Sequence, residues 1–112
     1  MSTDCLFCKI VAGEIPATVV HETPTTLAFR DINPVAPTHV LVVPRSHYEN
    51  AAALAAGEPA TAADLLTSAR AIAEAEGIDG YRLVFNTGAD AGQTVFHAHL
   101  HVIGGTPLTW PA

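Results

Sequence analysis

The stretch that decides the reading is Phe96-His97-Ala98-His99-Leu100-His101-Val102-Ile103. In a β-strand, successive side chains point to opposite faces, and residues two apart lie roughly 7 Å from each other on one face. His97, His99 and His101 therefore share one face, and Ala98, Leu100 and Val102 share the other. This alternation predicts a strand with an apolar core side and a side lined by imidazoles. A metal-binding tag or unrelated surface histidines would be the plain alternative. Three histidines in register on an otherwise apolar strand argue against it. Imidazole titrates near neutrality and serves as nucleophile, acid, base or metal ligand. A neutral ring nitrogen can attack phosphorus, and a neighbouring imidazolium can stabilise oxyanion charge.

Immediately upstream stands Asn86-Thr87-Gly88-Ala89-Asp90-Ala91-Gly92-Gln93-Thr94. Gly88 and Gly92 allow backbone N–H groups to approach a ligand, Gln93 and Thr94 add side-chain donors, and Asn86 can bind a sugar or phosphate oxygen. An ordinary hairpin loop could look the same, but its direct connection to the histidine strand favours a phosphate site.

Further out, Cys5 to Ala12 reads as one or two helical turns ending at Gly13. Thr18 to Glu22 and Thr26 to Asp31 read as short strands around Thr23-Pro24. Asn33 to Pro37 carries two prolines and reads as a loop, and His39 to Val43 as a buried strand stopped by Pro44. Ser46 to Ala56 suits a short helix capped by Ser46, and Pro59 suits the first turn of the next one. Ala62, Leu65, Leu66, Ala69, Ile72 and Ala73 recur at helical spacing up to the stop at Gly77. Tyr81 to Thr87 and Thr94 to Ile103 complete the set as strands, the second the longest. Tight turns between neighbouring strands favour antiparallel pairing. The expected fold is α+β, an antiparallel sheet of about five strands with helices packed on one face.

The chain of 112 residues fits one domain spanning 1–112. It is 49% hydrophobic and 14% charged, a globular composition, although alanine supplies much of the apolar count. With a net charge of -6 and five Lys and Arg residues, it lacks the basic surface that a polynucleotide requires. A small phosphorylated ligand needs only a few donors. Met1-Ser2-Thr3-Asp4 lacks the features of a signal peptide, and no apolar run approaches the ~20 residues that span a bilayer. The expectation is a cytoplasmic protein with reduced thiols and no membrane partner. Cys5-x-x-Cys8 alone is open to three readings: a redox pair, two small buried hydrophobes, or half of a zinc site. His39 reads as a core histidine bonded to backbone, and His21 as an exposed residue on an edge strand.

Gly92-Gln93-Thr94-Val95-Phe96-His97-Ala98-His99-Leu100-His101-Val102-Ile103 resembles the signature of the histidine triad superfamily. Phe7-Cys8-Lys9-Ile10, Glu14-Ile15-Pro16-Ala17, Ala28 to Pro34, Ala36 to His39, Pro44-Arg45-Ser46-His47 and Trp110-Pro111 extend the similarity over nearly the whole chain. More narrowly, the chain is similar to the histidine triad nucleotide-binding proteins. The resemblance implies a homodimer whose sheets join, binding of a purine nucleoside monophosphate, and hydrolysis at its α-phosphorus. It implies that His99 is the nucleophile, forming a nucleotidyl-histidine, and that His101 sits at the phosphate and leaving group. Asp31 matches the acid that holds ribose hydroxyls. Leu6, Phe7, Phe29 and Ile32 match apolar positions around the base. Asn86, Gly92, Thr94 and Val95 match the phosphate segment. Some relatives carry serine where Thr94 keeps a hydroxyl, and Thr109 stands where certain relatives carry histidine. Trp110 is expected to reach toward the partner's active site.

One branch of the superfamily completes a zinc site from a Pro-x-x-His segment and the first triad histidine. Cys5, Cys8, His47 and His97 are the matching positions, which implies structural Zn2+. The scheme requires no catalytic metal. The expected activity is that of a purine nucleoside phosphoramidase. The alternatives are a dinucleoside polyphosphate hydrolase or phosphorylase, a nucleotide-responsive binding or adaptor module, and a zinc-dependent scaffold.

Overall fold

The computed structural model describes residues 4–110. Its elements run α1 (Leu6–Val11), β1 (Val19–Glu22), β2 (Thr26–Arg30), β3 (Thr38–Pro44), α2 (Ala51–Gly57), α3 (Pro59–Glu76), β4 (Tyr81–Val84) and β5 (Leu100–Gly104), with a 3-10 turn at Ala89–Ala91. The strands form one antiparallel sheet in the order β1-β2-β3-β5-β4. β3 lies at the centre and is buried along its whole length, as its β-branched run demands. β1 and β4 form the two edges, and His21 lies half-buried on the first of them.

Alternation along the strands divides the core in two. Ala28, Val40, Val42, Leu100 and Val102 face α2 and α3, where Leu54, Leu65, Ala69 and Ile72 cover them. Leu27, Phe29, Leu41 and Val43 face the other way, against Cys5 and Phe7 at the start of α1. The two longer helices thus share one face as expected. The short α1 lies on the opposite face, which is also the imidazole face.

α3 begins with Pro59 and stops at Gly77, whose φ of 70° is the left-handed cap that glycine adopts without strain. Its buried stripe is Thr61, Leu65, Ser68, Ala69, Ile72 and Ala73. Leu66, expected on that stripe, is exposed instead. Ser68 takes the buried place because its hydroxyl meets that of Thr26 on β2 at 3.1 Å. Counting apolar residues misses such a pair. Ser46 does not cap α2. Asn50 does, its side-chain oxygen accepting from the Ala53 N–H at 2.9 Å.

The last strand is shorter than the sequence suggests. The ladder from β3 ends at Val42 opposite Leu100, and that from β4 at Val84 opposite His101. Residues 94–99 lie outside the ladder. The Ala98 N–H instead reaches the Tyr48 carbonyl at 2.7 Å, and the Pro44 carbonyl receives the His97 ring at 2.9 Å. The in–out alternation nevertheless persists, since Ala98 lies in the core with Leu100 and Val102. Tyr81–Thr87 likewise shortens to β4. Among the described residues no helix is long and apolar enough to cross a membrane.

Candidate active site

A cavity of about 750 Å³ opens on the α1 side of the sheet. Phe29 and Leu41 line it from β2 and β3, Leu6, Phe7 and Ile10 from α1, and His99 and His101 from the triad. Asp31 and Ile32 border it on one side, and Asn86, Gly92, Thr94 and Val95 on another. Phe7 stands edge-on to Phe29 at 5.4 Å and to the His99 ring at 5.0 Å.

Backbone partners fix the histidine tautomers. The His99 Nδ1 lies 2.7 Å from the His97 carbonyl, which can only accept, so the proton sits on Nδ1 and Nε2 keeps its lone pair. The Val35 N–H donates to His39 Nδ1 at 3.1 Å, which leaves the His39 proton on Nε2. That proton points to His101 Nδ1 at 2.9 Å, with the Asp31 carboxylate 3.4 Å away. His101 therefore carries its own proton on Nε2. Burial pushes the His101 imidazole down to about 4, aided by the charges of His99 and His39 and opposed by Asp31. At neutral pH His101 is a neutral donor, not an imidazolium. The His99 ring and the neutral donor His101 thus stand side by side, their rings 5.1 Å apart.

A second cluster adjoins this one. His97 is fully buried. Its Nε2–H donates to the Pro44 carbonyl, so Nδ1 presents a lone pair. That nitrogen lies 3.4 Å from Cys5 Sγ, 3.4 Å from Cys8 Sγ and 3.2 Å from His47 Nδ1. Cys8 Sγ is 3.3 Å from His47 Nδ1. A tetrahedral zinc site with bonds of about 2.0 Å to nitrogen and about 2.3 Å to sulfur has edges of roughly 3.3–3.8 Å. The two thiols and two imidazoles nearly meet that spacing and could hold a metal. Burial, with the adjacent Cys5, pushes the Cys8 thiol up to about 11, so a cation would have to displace its proton.

The HIT domain family model matches residues 12–108. The chain belongs to the HIT family. It is 42% identical over 110 residues to the purine nucleoside phosphoramidase of Escherichia coli, covering 96% of this chain and 92% of that one. A HIT family hydrolase from Legionella pneumophila is 50% identical with a TM-score of 0.92, covering 96% of this chain and 98% of that one. One from Clostridium thermocellum is 40% identical with the same TM-score of 0.92, covering 97% and 96%.

Within this HIT cavity most residues singled out by sequence come together, and two do not. Gln93 is buried, and its amide braces the loop: Oε1 accepts from the Gly88 N–H at 2.8 Å, and Nε2 donates to the Glu49 and Val95 carbonyls. It is spent on shaping the segment and offers no side-chain donor to a ligand. Trp110 is 87% exposed and lies outside the cavity wall. Asn86 does face the cavity while its Nδ2 holds the Ala91 carbonyl at 2.8 Å. Gly92, at φ 90°, gives the turn that delivers Thr94 to the wall. Asp31 borders the cavity with both carboxylate oxygens engaged within the chain. One carboxylate oxygen accepts from the Asn33 N–H at 2.8 Å as a turn former, and the other turns toward His39. Ile32 borders the cavity with its side chain 92% exposed. Ile10, Ile15, Pro16 and Leu41 also line the wall and were not singled out. Leu41 could have been, since it shares the His39 face of β3 by the two-residue period.

Proposed function

We propose that this protein hydrolyses purine nucleotides at the α-phosphorus through a nucleotidyl-His99 intermediate, and that it is a purine nucleoside phosphoramidase. The observation that carries the reading is the pair of tautomers: an unprotonated His99 Nε2 beside a protonated His101 Nε2 in one cavity. His99 Nε2 attacks phosphorus in line. The P–N bond breaks with its electron pair going to nitrogen, which takes a proton from solvent water relayed through the Thr94 hydroxyl. His101 Nε2–H and the backbone N–H groups of Gly92 to Thr94 stabilise the phosphoryl oxygens. Water then attacks the phosphohistidine and gives its proton back to solvent through the same hydroxyl, and His99 departs as neutral imidazole. The base would lie among Leu6, Phe7, Phe29 and Ile32, with the ribose hydroxyls on Asp31. Cys5, Cys8, His47 and His97 would hold one zinc ion that supports the fold. The working form is a homodimer with Trp110 reaching the partner's site, and its place is the cytoplasm.

Steady-state assays on an adenosine 5′-phosphoramidate and on a dinucleoside polyphosphate test this. Wild type should prefer the phosphoramidate. His99→Ala should lose turnover by roughly 10⁴-fold or more, as removal of a covalent nucleophile does, while still binding AMP. Preference for the dinucleoside substrate would move the reading to a polyphosphate hydrolase. AMP binding with no turnover of either would leave a binding module.

A further inference from the structure

The cluster of Cys5, Cys8, His47 and His97 touches the candidate active site by two routes. The first runs through a single peptide group. The His97 carbonyl and the Ala98 N–H belong to one rigid plane. The N–H end is held by the Tyr48 carbonyl at 2.7 Å. The carbonyl end is what binds His99 Nδ1 at 2.7 Å. The His97 ring hangs from the same residue and is anchored on one nitrogen by Pro44. Its other nitrogen faces the three remaining donor atoms of the cluster.

The second route runs through α1. This helix has six residues, too few to be stable alone. Cys5 caps it, its sulfur accepting from the Cys8 N–H at 3.3 Å. Phe7 lies between the two cysteines in the chain and packs against the rings of both His97 and His99. Leu6, Phe7 and Ile10 of the same helix form one wall of the cavity.

We infer that Cys5, Cys8, His47 and His97 are positioning residues for the reaction: closed on one metal ion, they fix the His97–Ala98 peptide that sets the His99 tautomer and pin the α1 wall against the nucleotide. The inference rests on the proposal that the cluster binds zinc, and goes beyond a role in stability alone. Such orienting partners typically contribute about 10–100-fold to activity.

The test uses the full chain, loaded with one equivalent of zinc and then stripped by a chelator. Three quantities are followed: bound zinc, the 15N ring signals of His99, and the Kd for AMP. Loaded protein should show one zinc per chain and a single His99 tautomer with the proton on Nδ1. Stripped protein, still folded by circular dichroism, should show averaged His99 tautomers and AMP affinity weaker by roughly tenfold. His47→Ala should behave as stripped protein does. His47→Cys, which restores a fourth donor, should recover both the tautomer and the affinity. His47 suits this because its exposed side chain leaves the core intact when removed. Zinc that binds and leaves while the His99 signals and AMP affinity stay unchanged overturns the inference and spares the metal site, even if the melting temperature falls. A chain that takes up no zinc overturns the metal site and the inference together. Neither outcome depends on which substrate the protein turns over.

Discussion

His101 lies between His39 and the open cavity, and its response to pH follows from that position. Its imidazole is pushed down to about 4, whereas an unfolded histidine titrates near 6.5. Between those values the unfolded chain takes a proton that the folded chain refuses. Stability therefore falls as pH drops from about 6.5 to about 4 and levels off below. After a discount for solvent at the cavity, the loss should be ~2–3 kcal/mol. Urea unfolding across that range should show a steeper acid decline for wild type than for His101→Gln. Parallel profiles would contradict the buried neutral ring. His39, which enforces this arrangement, was half legible. Its bond to backbone was expected from the sequence and is the one from Val35. Its second bond to His101 depends on β3 lying beside β5, a pairing between residues 62 positions apart that no local pattern reports.

At the scale of elements, turn signals, caps, a β-branched run and periodicity together placed the five strands and three α-helices of the described residues, and the differences fell mainly at their ends. Residues 94–99 show why. They alternate as a strand does, but the Ala98 N–H goes to the Tyr48 carbonyl in the loop after β3, and the Val95 and His97 carbonyls take the side chains of Gln93 and His99. Sequence alternation reports which face a side chain takes, not which group binds the backbone. Gln93 failed for a related reason: as a residue type it can donate to phosphate, but its amide is claimed by the Glu49 carbonyl across the fold. The end of β5 gives an element-scale prediction. A Cβ added at Gly104 would lie 3.0 Å from the Gly80 carbonyl oxygen and 2.9 Å from Ile78 Cδ1. Gly104 is buried, paired with Thr38 on one side and Tyr81 on the other, so the backbone has little room to yield. Gly104→Ala should cost about 1–3 kcal/mol by overpacking, read as a lower midpoint in denaturant with little change in slope. An unaltered midpoint would show that the β4–β5 end is looser than its packing implies.

For the whole molecule the edge of the sheet sets the assembly. β4 is an edge strand, and Tyr81 and Leu83 on it and Phe85 just beyond it present apolar side chains to solvent. Unpaired strand edges invite pairing, and a two-fold axis there would join two five-stranded sheets. Light scattering should report a dimer at micromolar concentration. A dilute, fully active monomer would contradict the dimer. The tail is tied to the same strand, with Arg82 on β4 donating to the Thr109 carbonyl at 2.7 Å. Trp110 follows that bond and stands exposed, outside its own cavity wall. Deleting residues after Pro107 should therefore change substrate preference more than thermal stability. An unchanged substrate profile would remove the tail from the site.

The most direct measurement is the mass of the protein caught during turnover. Wild type mixed with an adenosine phosphoramidate and quenched in the steady state should carry one nucleotidyl group, and peptide fragmentation should place it on His99. An adduct on another residue, or rapid turnover with no adduct at any quench time, would contradict the account.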